Sequence, residues 1–293
     1  MKHPFDADTV KLLRIPFSYL LMPIYFMALS QAPNPDFVKA FGIFIILHLF
    51  IYPASNGYNS YMDRDEGSIG GLKNPPMPTQ NLFYATLILD FAGIILSTLI
   101  NEEFLVAVIL YILASRAYSY KGIRLKKYAF LGYFIVIVFQ GFVTYCMVIL
   151  GSTQLEFREF YASDQYWIAV ASTLMIGGVY PLTQIYQHED DKNRGDETLS
   201  SKLGYRGTFV ISGVMFLACT VFLFRYFSVV DFVTFQLFLI PVVFFFINWA
   251  YKVVKDAGMA NFENTMKMNI IAATCMNVCF LFLTIYKYFV ILY

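Results

Sequence analysis

The sequence predicts an all-α, polytopic integral membrane protein with about nine membrane-spanning helices. Hydrophobic residues make up 58% of the 293 positions and charged residues only 14%, with a mean hydropathy of +0.59. A soluble domain is nearer half apolar and a quarter charged. One water-soluble core cannot bury this much apolar surface. Two further observations support the prediction: long apolar runs recur along the chain, and basic residues collect in alternate connecting segments.

The apolar runs define the predicted spans. A helix needs roughly 17–25 mostly apolar residues to cross the hydrocarbon core of a bilayer. Because little chain is left to connect the runs within 82–120 and within 208–250, these two segments are predicted to be helical hairpins. The first run follows a charged head and is long enough to remain as a signal-anchor span. The predicted spans are 15–31, 37–55, 82–100, 104–120, 128–150, 166–187, 208–226, 229–250 and 268–292.

The basic residues predict the orientation in the membrane. They fall mainly in the N-terminal head and in loops 56–81, 121–127, 188–207 and 251–267, whereas the intervening loops hold only Arg158 and the borderline Arg225. The positive-inside rule places the head and these four loops in the cytoplasm. We therefore expect a multi-pass protein of the inner, cytoplasmic membrane. Nine spans put the C-terminus outside.

Charge and cysteine usage exclude some classes of protein. The net charge is only +1, so the chain lacks the basic field of a nucleic-acid-binding protein. The four cysteines, Cys146, Cys219, Cys275 and Cys279, lie in apolar runs and are expected to be small buried hydrophobic residues. The expected surroundings are membrane lipid, with no nucleic-acid partner.

Two of the polar loops differ from the others because each carries a cluster of carboxylates beside a basic residue. Loop 56–81 follows the second span and loop 188–207 follows the sixth. Because four spans separate the two loops, we expect them to emerge on the same face. This placement predicts a single domain over 1–293, built of two parallel four-helix halves (15–120 and 128–250) and a last helix, 268–292.

The two carboxylate clusters predict a magnesium-dependent diphosphate site. Facing carboxylates repel each other unless a cation lies between them, and hard oxygen ligands suit Mg²⁺. Mg²⁺ is usually held by one or two carboxylates together with substrate phosphates. Asp63, Asp191 and Asp190 are the candidate catalytic residues. The candidate metal ligands are Asp63, Asp65, Glu66, Glu189, Asp190 and Asp191.

Both segments resemble the signature motifs of the UbiA superfamily of intramembrane prenyltransferases. In the first motif, Asn-Asp-x-x-Asp-x-x-x-Asp, Asn59 and Asp63 match and the last Asp falls on Gly67. In the second, Asp-x-x-x-Asp-x-x-x-Gly, Asp191 and Gly195 match and the leading Asp falls on Gln187. In the family, a Thr-Leu pair and then a Leu-Gly pair come after the second motif, and the fourth span has a Tyr-rich end that leads into a Leu-Lys pair. The residues that match these features are Thr198, Leu199, Leu203, Gly204, Tyr118, Tyr120, Leu125 and Lys126.

The resemblance implies a helical bundle around a central cavity, with Mg²⁺ as cofactor. It also implies transfer of an isoprenyl group from a prenyl diphosphate to a small aromatic or lipid-soluble acceptor of the quinone-precursor type. Lys126 becomes the main candidate for diphosphate contact because it matches the Leu-Lys pair. The other candidates for binding the diphosphate are Asn59, Lys121, Arg194 and Lys73.

Several polar residues within the predicted spans need a separate interpretation. Asp90 lies in the middle of the third span, where an acid is costly and is a functional candidate. It is either part of an acceptor or cation site or a hydrogen-bonding partner between helices. Arg14 is expected to snorkel to the lipid head groups rather than reach the site. Asn269 and Asn277 are expected to form hydrogen bonds across helices.

Other functions remain open at this stage. A UbiA-type membrane terpene cyclase would use the same diphosphate chemistry without an acceptor. A transporter fits less well, because transporters place ionisable groups near the midplane, often between inverted repeats. A binding protein without catalytic activity is the third alternative. The acceptor, the prenyl chain length, the number of Mg²⁺ ions and the oligomeric state are not specified by the sequence.

Overall fold

The computed structural model describes residues 4–290, apart from the side chains of Asn193 and Arg194. Eight of its helices are long and apolar enough to cross a membrane. The ninth, with 18 residues, contains Glu102, Glu103 and Arg116. The prediction of an all-α protein with about nine helices is confirmed. In chain order the helices are α1 (Ala7–Gln31), α2 (Phe37–Asp63), α3 (Gln80–Ser97), α4 (Glu102–Ser119), α5 (Ala129–Ser152), α6 (Asp164–Lys192), α7 (Leu199–Tyr226), α8 (Val229–Lys255) and α9 (Phe262–Val290).

Short polar residues cap the starts of several helices. Asp36 accepts hydrogen bonds from the backbone N–H groups of Val38 and Lys39 at the start of α2. Asn101 caps α4, Ser163 caps α6 and Asn261 caps α9 in the same way. Such caps satisfy N–H groups that have no partner within the helix. The capped helices begin at the predicted position in α2, two residues before it in α4 and α6, and six residues before it in α9.

The predicted spans were wrong at the acidic segments, because three helices continue beyond the apolar runs. The second and sixth runs were predicted to end at 55 and 187, and the seventh to begin at 208. In the structure α2 continues to Asp63, α6 to Lys192, and α7 begins at Leu199. Hydropathy detects only the apolar part of a helix, whereas the helix itself ends at a left-handed residue. Arg64 (φ 54°) and Gly195 (φ 71°) are these residues.

The interior is built around α6, which packs against α5, α7 and α9. Three helices contain a stretch of π-helix: Ile46–Ile51 in α2, Val138–Val143 in α5 and Tyr286–Val290 in α9. Such stretches often occur at functional sites. α7 is interrupted at Gly204, whose φ of 67° and ψ of 177° are not helical. The proposed division into two four-helix halves stays a prediction.

Candidate functional site

The helices surround a cavity of about 290 Å³, which has one acidic end and an apolar interior. We define the acidic end by the carboxylates of Asp63, Asp65, Asp191 and Asp196, which all line the cavity. Both predicted acidic segments therefore contribute to one site. Apolar side chains line the interior, among them Ile24, Phe139, Met175, Phe235 and Met276.

Asp63 and Lys126 form a buried ion pair at the acidic end. The Asp63 side chain is 7% exposed and the Lys126 side chain 10%. Asp63 is the last residue of α2, and Asn59, one turn earlier, also lines the cavity. Lys126 lies on a short 3₁₀ helix, Leu125–Lys127, that precedes α5. These three residues, each predicted from the sequence, are brought together here.

The chain after α6 wraps around Asp191, which is 5% exposed. The Thr198 hydroxyl donates a hydrogen bond to Asp191 Oδ2 at 3.2 Å, and the backbone N–H of Asp196 donates to the Asp191 carbonyl at 3.0 Å. Thr198 is also the N-cap of α7, accepting from the Ser201 N–H. Asp191 is thus held at the junction of α6 and α7.

Asp196 is a site residue that the sequence reasoning missed. Arg124 binds its carboxylate through two hydrogen bonds, Nε to Oδ1 at 2.9 Å and Nη2 to Oδ2 at 2.8 Å. Because Arg124 donates these hydrogen bonds to the Asp196 carboxylate, its pKa is raised above the ordinary value. This pair fastens the loop before α5 to the turn before α7. Nothing in the sequence distinguishes Asp196 from the neighbouring acids.

Arg14 also lines the cavity, so the expectation that it snorkels to the lipid head groups was wrong. Its φ of 50° breaks α1 at this residue. The guanidinium donates from Nη1 to the Gly70 carbonyl and from Nη2 to the Asn56 carbonyl, both at 3.1 Å. No acidic side chain among residues 4–290 forms an ion pair with it. The sequence alone does not distinguish a cation that snorkels to the lipid head groups from one that lines the site, because both lie at the start of a span.

Tyrosines lie between the acidic end and the apolar interior. The hydroxyls of Tyr118 (α4) and Tyr180 (α6) are hydrogen-bonded to each other. Gln184 Nε2 donates to the Tyr180 hydroxyl at 3.0 Å, and all three residues line the cavity. The motif match singled out Tyr118, whereas nothing in the sequence selects Tyr180 among the 22 tyrosines.

Five of the predicted site residues are exposed and lie outside the cavity lining: Glu66, Lys73, Lys121, Glu189 and Asp190. Lys73 forms an ion pair with Glu263 at the start of α9. Asp190 packs against Gly67, where an added Cβ would collide with its carboxylate. The side chain of Arg194 is outside the described part of the chain. The roles predicted for these residues stay predictions.

Asp90 is buried in α3 and forms an ion pair with Arg116 of α4. The Arg116 guanidinium also lies over the ring of Tyr58, 3.9 Å from its centroid. Neither Asp90 nor Arg116 lines the cavity. Of the two interpretations left open, this geometry favours a bond between helices over an acceptor or cation site.

The family model of the UbiA prenyltransferases matches residues 20–288. The chain belongs to the UbiA prenyltransferase family. A UbiA homologue from Archaeoglobus fulgidus bound to DMAPP and Mg²⁺ has a TM-score of 0.69 at 14% identity, over 95% of this chain and 99% of the homologue. The same homologue bound to GPP and Mg²⁺ gives identical values.

A second relative supports the same fold. A structure from work on digeranylgeranylglyceryl phosphate synthase has a TM-score of 0.59 at 18% identity, covering 95% of this chain and 96% of that one. At these identities the likenesses show the fold alone. A search of curated proteins found no significant match.

The site of this UbiA-family chain fits Mg²⁺ if substrate supplies part of the coordination. Among the residues that the structure describes, no group of three or more His, Cys, Asp or Glu side chains is placed to hold a metal ion. Asp63 and Asp191 offer two buried carboxylates from opposite segments, and Asp65 and Asn59 add hard oxygen atoms beside them. Two carboxylates plus substrate phosphates is the usual way in which proteins bind Mg²⁺.

Proposed function

We propose that the protein transfers an isoprenyl group from a prenyl diphosphate to a small aromatic or lipid-soluble acceptor. The observation that carries the proposal is the cavity, which joins an acidic end with buried cations to an apolar interior. A prenyl diphosphate has the same two parts, a highly charged head and an apolar tail. The relatives bound to DMAPP or GPP with Mg²⁺ support this assignment.

The proposed head-group site is at the acidic end. Asp63 and Asp191 would hold Mg²⁺ together with the diphosphate oxygens, and the metal would neutralise charge on the departing diphosphate. Lys126 and Arg14 are the buried cations of the lining. Arg14 binds only neutral carbonyl groups, so its charge is available to an anion. A buried cation without a counter-ion is costly, and a diphosphate removes that cost.

The proposed reaction breaks the C–O bond between the prenyl carbon and the diphosphate, which keeps the bonding electron pair. The acceptor then supplies an electron pair to the allylic carbon, a C–C bond forms, and the acceptor loses a proton. Tyr118 and Tyr180 line the cavity, and their π electrons would stabilise positive charge on the allylic group. The apolar walls exclude water, which would otherwise capture the cation.

We also propose that the acidic end faces the cytoplasm of a cell with this protein in its inner membrane. The basic residues that predict the orientation lie in or next to the segments that join the helices at this end, among them Lys121 before α5, Lys202 in the first turn of α7 and Lys255 at the end of α8. A cytoplasmic acidic end gives the site direct access to Mg²⁺ and to a water-soluble head group.

The deciding experiment measures diphosphate release from GPP by the purified protein, with and without Mg²⁺ and a naphthol acceptor. We expect release to require both. Asp63→Asn and Asp191→Asn are expected to reduce release by at least 100-fold while the protein still elutes as a folded species. Glu103→Gln, an exposed acid of α4 outside the cavity lining, serves as the control and is expected to retain activity.

The same assay separates the alternatives. Acceptor-independent release with a cyclic product, identified by mass spectrometry, would assign the chain to cyclisation of the prenyl group. Full activity in both aspartate variants would contradict the metal assignment. Absence of release with every prenyl diphosphate, together with absence of Mg²⁺-dependent binding, would exclude the enzymatic function.

A further inference from the structure

Asn269 of α9 is a buried amide that lines the cavity and has no hydrogen-bond partner. It is 5% exposed, and no described donor reaches its Oδ1. The expectation that it bonds across helices was wrong, whereas Asn277, two turns further along, does donate to the Tyr19 carbonyl at 3.2 Å. Leaving a buried amide unpaired costs free energy. An unpaired amide on the wall of a cavity therefore indicates a ligand group that forms the missing hydrogen bond.

The cavity-lining residues that follow Asn269 on α9 are apolar. Asn269 lies seven residues after Phe262, the first residue of α9. At 1.5 Å per residue this is about 10 Å along the helix axis. The next α9 residues in the cavity lining are Ala272, Ala273 and Met276, so the amide is an isolated polar group on an apolar wall. The charged residues of the lining belong instead to the segments around the acidic end: Arg14, Asp63, Asp65, Lys126, Asp191 and Asp196.

We propose that Asn269 binds an uncharged oxygen substituent of the acceptor, a hydroxyl or a ring carbonyl. This inference rests on the proposed transfer function and defines its acceptor class. An amide accepts a hydrogen bond from a hydroxyl through Oδ1 and donates one to a carbonyl through Nδ2. The cations of the cavity lining, Arg14 and Lys126, are assigned to the diphosphate, so a carboxylate bound at Asn269 would have no cation to offset its desolvation. The acceptor is thus a neutral phenol- or quinone-type molecule rather than an aromatic acid bound through its carboxylate.

The test uses two fluorescent probes of the same ring system, 1-naphthol and 1-naphthoic acid, with protein that holds GPP and Mg²⁺. We expect 1-naphthol to bind and 1-naphthoic acid to bind at least tenfold more weakly. Asn269→Leu, which keeps the volume and removes the amide, is expected to weaken 1-naphthol binding about tenfold, the effect of one buried hydrogen bond. Binding of GPP with Mg²⁺ is expected to stay unchanged in this variant.

Asn277→Leu is the matched control, because it removes a buried amide from the same helix outside the cavity lining. It is expected to bind 1-naphthol as the unaltered protein does. Unchanged 1-naphthol binding by Asn269→Leu, tighter binding of 1-naphthoic acid, or no binding of 1-naphthol to protein that holds GPP would each overturn the inference. Failure of the proposed function is distinguishable, because the unaltered protein would then show no Mg²⁺-dependent binding of GPP.

Discussion

At the scale of single residues, the buried charged side chains of the site can exchange one oppositely charged partner for another. The Asp63 carboxylate is almost fully buried and is compensated by Lys126. Removing one member of a buried pair leaves the other uncompensated and costs roughly 3–5 kcal/mol. Mg²⁺ bound with a diphosphate offers Asp63 an alternative partner, which releases the Lys126 ammonium to the anion.

Lys126→Met tests this exchange. We expect the variant to be less stable by about 3 kcal/mol without ligand, because Asp63 loses its cation. In the presence of GPP, addition of Mg²⁺ is expected to raise the melting temperature of the variant more than that of the unaltered protein, since the metal replaces the missing charge. Thermal unfolding in detergent, with and without Mg²⁺, measures both effects without reference to activity.

The control for this variant is Tyr128→Phe, which leaves every charge in place next to the same 3₁₀ helix. Tyr128 is exposed and does not line the cavity. The melting temperature of the Tyr128→Phe variant and its response to Mg²⁺ are expected to match those of the unaltered protein. A Lys126→Met protein with no additional response to Mg²⁺ would show that the metal does not approach Asp63.

At the scale of elements, the cavity depends on how closely α5 and α6 approach each other. Gly141 lies in the π-helical stretch of α5, and a Cβ added there would come within 2.5 Å of the Thr173 Cα and 2.8 Å of its backbone nitrogen. Backbone atoms cannot move aside as a flexible side chain does. The contact therefore requires glycine and fixes the distance between the two helices.

Gly141→Ala is expected to destabilise the protein by about 1–3 kcal/mol, the cost of overpacking a well-packed interior. Because Phe139 and Gln140 line the cavity on the same stretch, GPP binding is expected to weaken as well. Gly213→Ala is the comparison: its added Cβ meets nothing closer than 3.9 Å, so both properties are expected to stay unchanged. Equal stability of the two variants would contradict the close approach of α5 and α6.

At the scale of elements, the sequence predicts where the helices lie but not where all of them end. Apolar runs located all nine helices, because hydrophobic length is a property of each segment alone. The ends of α2 and α6 were missed, because they depend on left-handed residues at Arg64 and Gly195 rather than on hydropathy. Asp63, Asp191 and Lys126 were identified by motif, whereas Arg14, Asp196 and Asn269 entered the cavity through tertiary packing that no local pattern records.

At the scale of the whole molecule, the chemistry depends on both acidic segments opening to one side of the membrane. The segments follow α2 and α6 and line a single cavity, so they share an end of the bundle. The distribution of basic residues predicts that this end faces the cytoplasm. The opposite end includes the exposed Gln154, between α5 and α6.

Two single-cysteine variants test this orientation in intact cells. Glu66→Cys, at an exposed position after α2, is expected to resist a membrane-impermeant maleimide until the membrane is permeabilised, and Gln154→Cys is expected to react at once. The natural cysteines all lie within helices, three of them buried, so background labelling is low. The reverse pattern would place the acidic end outside, where a water-soluble prenyl diphosphate made in the cytoplasm does not reach it.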